Sequence, residues 1–141
     1  MTNSPATNGL PGLRGTEHIG LTVPDLDAAT AFFVDVLGAE ALFEVGPFAS
    51  SDDWMGKRLG VHPRATIRKL RMLRMANGPS LELFEYASPD HDPERPRNSD
   101  AGGHHLAYYV TDMAAAIAYL TRHVVTIIGD PTTLTDGASA V

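Results

Sequence analysis

The chain contains no cysteine, a single tryptophan, and fewer basic than acidic groups, 11 Lys and Arg against 17 Asp and Glu in 141 residues. Without thiols, disulfides, thiolate zinc sites and cysteine nucleophiles are excluded, and any bound metal must take nitrogen and oxygen ligands. A net charge of −6 argues against a general nucleic-acid binder, which needs a basic face to meet phosphate. Only the stretch from Arg68 to Arg74 is locally basic. No apolar run approaches the roughly 20 residues a membrane helix needs, and residues 1–12 lack a basic segment followed by a hydrophobic one. The expectation is a cytoplasmic protein with neither membrane nor nucleic acid among its partners. At 43% hydrophobic and 20% charged residues, it has the composition of one globular core, or of two small modules sharing a sheet.

What the chain does have is a repeat. His18-Ile19-Gly20-Leu21-Thr22-Val23-Pro24-Asp25 and His105-Leu106-Ala107-Tyr108-Tyr109-Val110-Thr111-Asp112 share one frame, a histidine followed by valine and aspartate at the same spacings. The frame runs on into a helical stretch, where Leu26, Ala28, Ala29, Phe32 and Phe33 align with Met113, Ala115, Ala116, Tyr119 and Leu120. Two copies of one strand–helix unit follow from this, and an imidazole at the same strand position in each invites a metal site between them. Taken alone, His18 is more often a hydrogen-bonded strand-end residue than a ligand; the pairing with His105 carries the weight.

Residues 1–12 are small, polar and rich in turn formers, which predicts a flexible tail. Residues 17–23 read as a strand ended by Pro24, and Asp25 as the cap of a helix running to Leu37 with Gly38 as its stop. Strands follow at Glu40 to Val45, Ile67 to Met75 and Ser80 to Ala87, with a long loop at 46–66. Asn77-Gly78 predicts a hairpin, because both residues tolerate positive φ. The first module, 13–87, is thus βαβββ. A proline-rich connector, 88–103, leads into a second module, 104–141, expected as strand 104–110, helix 112–122, strand 124–128 and a turn at Thr135-Asp136-Gly137. The repeat offset, even shortened by the whole 46–66 loop, carries the counterpart of Glu82 to about position 148, so this module is expected to lack its last strands.

The duplicated βαβββ frame, the two strand histidines, Leu81-Glu82-Leu83 and Gly103-His104-His105-Leu106-Ala107 resemble the vicinal oxygen chelate superfamily, over about residues 13 to 137. That family includes glyoxalase I, methylmalonyl-CoA epimerase, extradiol dioxygenases and bleomycin-resistance proteins. The resemblance implies an α+β fold in which the modules curl a mixed sheet into a cup around a divalent metal. It places ligands at His18, Glu82 and His105, and it implies a homodimer. The fourth ligand, a last-strand glutamate that is also a candidate base, falls past Val141. The chain is then a truncated or altered form, a site completed by a partner through strand exchange, or a three-ligand site with water. An exposed edge where strands are owed favours dimerisation or truncation.

Two imidazoles and a carboxylate suit Ni, Zn, Co, Mn or Fe(II) and leave positions open for a substrate's two adjacent oxygens. Polarising a carbonyl bound there acidifies the neighbouring C–H, so the expected activity is a metal-dependent lyase or isomerase on a small vicinally oxygenated substrate. A carboxylate at Glu82 leans towards the glyoxalase or epimerase type over the extradiol dioxygenases. The competing class is a non-catalytic, bleomycin-resistance-type binding protein for a small molecule.

His104 points to the opposite strand face from His105, and Glu85 to the opposite face from Glu82. His62, His91 and His123 are assigned no role. Phe48, Trp54 and Met55 in the long loop either close over the cup or anchor the loop on the core. Of the basic cluster Arg68, Lys69, Arg71 and Arg74, Arg71 is the member placed in the substrate pocket, where it would grip a carboxylate or phosphate; the plainer reading is a solvated strand face.

Overall fold

The computed structural model describes residues 9–123 and 125–131. They fall into two compact units, one ending at Asp92 and the other beginning at Pro93, a division inside the 88–103 connector. In the first unit β1 (His18–Thr22), β2 (Glu40–Val45), β3 (Thr66–Arg74) and β4 (Ser80–Ala87) form an open mixed sheet in the order β1-β4-β3-β2. The pairing of β1 with β4 is parallel and the other two are antiparallel.

Helix α1 (Leu26–Ala31) starts where the sequence places it. Asp25 Oδ1 accepts the Ala28 N–H at 2.8 Å, and Gly38 ends the segment in a left-handed conformation at φ 75°. The expected single helix to Leu37 instead widens into a π-helical turn at Phe32–Val36, where the Leu37 N–H reaches back five residues to the Phe32 carbonyl.

The sheet has two unlike faces. On one, Leu73, Leu81 and Leu83 are buried with Leu26 of α1, each at 2% exposure or less. Register puts His18, Gly20 and Thr22 on the other, with Ser80, Glu82, Phe84 and Tyr86 of β4, Leu70, Met72 and Arg74 of β3, and Phe43 and Val45 of β2.

The long loop is not structureless. It holds α2 (Trp54–Leu59), closed by Gly60 at φ 67°, and its Phe48 bridges to Ile67. Met55, fully buried with Ala65 and Ile67, pins α2 against Leu70, Phe84 and Tyr86. Gly46 opens the loop at φ 131°, where a Cβ would stand 2.7 Å from the Arg68 carbonyl oxygen, so only glycine fits. The β3–β4 hairpin forms, but neither Asn77 nor Gly78 takes positive φ, and the last paired residues are Leu73 and Leu81. Pro79 has no N–H to donate, so the ladder does not close down to the tight two-residue turn.

In the second unit α3 (Met113–Arg122) repeats the first unit's helix start closely. Asp112 has φ −141° and ψ 103°, against −142° and 108° at Asp25, and its Oδ1 accepts the Ala115 N–H at 2.9 Å. The expected strands at 104–110 and 125–128 are not strands among the described residues. In the first unit β1 is held by β4 alone, and no described strand of the second unit plays that part for 104–110. Residues 1–8 of the expected tail, residue 124 and the turn at Thr135-Asp136-Gly137 lie outside the described residues. Among those described, no helix is long and apolar enough to cross a membrane.

Candidate functional site

Parallel pairing of β1 with β4 sets Gly20 opposite Glu82 and puts His18, two residues earlier, on the same face. Gly20 carries no side chain; a Cβ there would stand 3.7 Å from the Phe84 ring. His18 Nε2 lies 3.2 Å from Glu82 Oε2. Two donors bonded to one ion at about 2.0–2.2 Å, with an angle near the tetrahedral or octahedral value, stand about 3.0–3.4 Å apart, so this pair has the separation of neighbouring ligands. Glu82 is only 20% exposed and His18 41%, so both are reachable from the open face.

The other ring nitrogen, His18 Nδ1, meets the Glu17 carboxylate. That hydrogen bond, with Glu82's charge adding to it, holds the imidazolium above its ordinary range. Nearby, Phe84 and Tyr86 stack at 5.4 Å, and burial together with the Glu82 charge pushes the Tyr86 phenol up.

Of the sequence-predicted ligands, two lie in the first unit and one in the second. His18 and Glu82 meet. His105 is exposed in the other unit, and its neighbour His104 turns Nδ1 to the Gly102 carbonyl at 2.9 Å. No group of three or more His, Asp or Glu side chains suited to a metal ion occurs among the described residues. Met55 is a core residue and belongs to the loop anchor. Phe48 and Trp54 form an edge-to-face pair at 5.3 Å and stay partly exposed, at 45% and 39%.

Arg71 takes a different place from the substrate pocket in which the sequence sets it. It pairs in register with Leu83, on the α1 face of the sheet, away from Glu82. There Nη1 donates to Thr30 Oγ1 at 2.7 Å, Nη2 to Asp27 Oδ1 at 3.0 Å, and the guanidinium also meets Glu44. Lys69 joins it, donating to Asp27 Oδ2 at 2.7 Å, and Arg68 lies 3.6 Å from Glu85, which caps the Leu26 N–H. These cations brace α1 to the sheet. The member of the cluster on the Glu82 face is Arg74, which pairs with Glu40 at 2.5 Å. Glu17, Tyr86 and Arg74 were not marked as site residues by sequence; alternation from Glu82 reaches Tyr86, and adjacency to His18 reaches Glu17.

The brace has a pH signature. Lys69 first, then Arg71, hold the Asp27 carboxyl below its ordinary range. A depressed folded-state pKa contributes stability that is present above the unfolded value and lost as pH falls through the folded one. Below about pH 4, thermal melts are expected to show the wild-type protein converging on Asp27→Asn; a gap that stays constant with pH contradicts the assignment.

Residues 17–140 match the family model of the Glyoxalase/Bleomycin resistance protein/Dioxygenase superfamily. A 2-epi-5-epi-valiolone epimerase from Actinomyces sp is 48% identical over 133 residues, which cover 94% of this chain and 72% of that protein. The Escherichia coli (strain K12) protein YaeR is 34% identical over 126 residues, covering 86% of this chain and 83% of its own length. Among solved structures, a glyoxalase family protein from Bacillus cereus superposes with a TM-score of 0.55 at 23% identity, covering 90% of this chain and 81% of that one, a likeness of fold.

Proposed function

Because the chain belongs to the Glyoxalase/Bleomycin resistance protein/Dioxygenase superfamily, we propose that it is a metal-dependent isomerase of the epimerase kind, acting on a small polyoxygenated carbonyl compound. The observation that carries this reading is the 3.2 Å approach of His18 Nε2 to Glu82 Oε2, in a chain 48% identical to an epimerase. Members of the superfamily commonly bind a divalent metal. In this reading His18 and Glu82 hold it, with His105 as the third ligand. A divalent ion there supplies Lewis-acid polarisation of a substrate carbonyl, which acidifies the adjacent C–H.

Met72 and Phe43 share the Glu82 face in register, with Phe84 next along β4 and packed towards Met55, an apolar surround for one side of a bound substrate. Inverting a carbon next to a carbonyl requires a base that takes its proton on one face and an acid that returns one on the other, with no net redox change. The reading also includes a cytoplasmic homodimer, since β1 and β2 are the outer strands of their sheet and such edges invite pairing.

The test is a proton nuclear magnetic resonance assay in D2O with added Co²⁺ or Ni²⁺, using 2-epi-5-epi-valiolone, the compound in the relative's name. Metal-dependent deuterium uptake at one carbon, with appearance of the epimer, is expected. Unchanged substrate with metal supplied contradicts the reading. Turnover of the methylglyoxal–glutathione hemithioacetal in its place moves the assignment to the lyase branch.

A further inference from the structure

Glu17 lies outside every strand and is not part of the ligand set, and it still touches His18 and the start of β4. Its backbone carbonyl accepts the Ser80 N–H at 3.1 Å, which fixes the residue to the start of β4, the strand that carries Glu82. Its carboxylate meets His18 Nδ1, while Nε2 of the same ring stands 3.2 Å from Glu82 Oε2. A neutral imidazole has one N–H and one lone pair, and the nitrogen that donates to a carboxylate cannot bind a cation. A carboxylate on the far ring nitrogen also fixes the ring's rotation and raises its basicity.

We infer that Glu17 is the positioning residue of this site: it holds the His18 proton on Nδ1 and presents the Nε2 lone pair, beside Glu82, to a divalent cation. The inference rests on the reading of His18 and Glu82 as metal ligands and adds which ring nitrogen ligates and what selects it. It is also economical in sequence, because a carboxylate directly before the histidine reaches Nδ1 without any other element of the fold. The second repeat differs here, with His104 in the position corresponding to Glu17. The selection is therefore specific to His18.

The experiment uses full-length protein labelled with ¹⁵N-histidine, wild type and Glu17→Ala, with Glu17→Gln as an intermediate that keeps an oxygen acceptor without its charge. The Glu17 side chain is 82% exposed, so its truncation leaves the core intact. Because Glu82 stands 3.2 Å from Nε2 and competes for the ring proton when no metal is bound, long-range ¹H–¹⁵N spectra of metal-free protein are recorded with Glu82→Ala added to each sample. At a pH where the ring is neutral they are expected to show His18 as the Nδ1–H tautomer where Glu17 is present, and the Nε2–H form should appear in Glu17→Ala. Calorimetric titration with Co²⁺, on samples that keep Glu82, is expected to give binding about 10–100-fold weaker in Glu17→Ala, with Glu17→Gln between. A ring protonated on Nε2 with Glu17 present and Glu82 removed, or a tautomer unchanged in Glu17→Ala, overturns the inference. An Nδ1–H ring there with no Co²⁺ binding by the Glu82-containing protein overturns instead the reading of His18 and Glu82 as ligands.

Discussion

Glu82→Gln is expected to weaken divalent-metal binding by more than about 100-fold and to remove turnover with it, since loss of a mere outer-shell partner already costs about 10–100-fold. The substitution keeps the side chain's size on a strand packed between two neighbours, so β4 and its ladders stay in place. What disappears is one negative charge 3.2 Å from His18 Nε2. An amide oxygen is a poor substitute for a carboxylate on a borderline divalent ion. His18→Ala should act in the same direction, and the double variant should lose little more than either single one, because in the proposed site the two side chains serve one ion. Co²⁺ titration alongside the deuterium-exchange assay checks this. Wild-type affinity in both single variants would remove the pair from the metal site.

The largest stability effect is expected at Leu83. It is fully buried on the central strand β4, between Leu21 of β1 and Arg71 of β3 in register, on the face covered by α1. Leu83→Ala removes buried apolar volume and leaves a cavity that β4, held on both sides, cannot collapse around. The expected loss is about 3 kcal/mol, within the 2–5 kcal/mol range of such truncations. For a unit of this size that lowers the melting temperature by roughly 12–24 °C. Phe43→Ala is the contrast: Phe43 is 52% exposed on the open face, so its truncation should move the melting temperature far less while disturbing the apolar surround beside Glu82. Denaturant melts of the two variants check the ranking. Equal losses would mean that the face on which Phe43 sits is covered as fully as the α1 face.

Much of the first module was legible because local chemistry and tertiary structure agree there. Asp25 and Asp112 cap their helices with nearly the same backbone angles, which is the repeat read in the sequence made visible as geometry. The strands at 18–22, 40–45 and 80–87 follow from apolar alternation between turn formers. The helix inside the 46–66 loop was missed because its signal is weak: six residues, with one buried side chain, Met55, that gains its meaning only from packing on Ile67 and Phe84. The hairpin was legible and its turn was not, since Pro79 governs how far the ladder closes.

The site divides in the same way. Which face of β3 shares a side with Glu82 depends on register and on the irregularity between Ile67 and Lys69, and neither is written in local sequence. Arg71 was accordingly read into a pocket that it does not line, while Arg74 sits on the Glu82 face. His18 and Glu82 meet only because β1 and β4 pair in parallel, a long-range arrangement supplied by the resemblance and not by alternation. Glu17 was overlooked since neighbouring strand residues ordinarily face opposite ways. Its position just before β1 releases it from that rule.

The most direct measurement is an anomalous difference map from crystals of the full chain grown with Co²⁺. The account predicts a peak within about 2.0–2.2 Å of both His18 Nε2 and a Glu82 carboxylate oxygen, the ordinary range for nitrogen and oxygen ligands. A cobalt peak that leaves His18 and Glu82 bonded to each other, or a peak on His18 Nδ1, would contradict it.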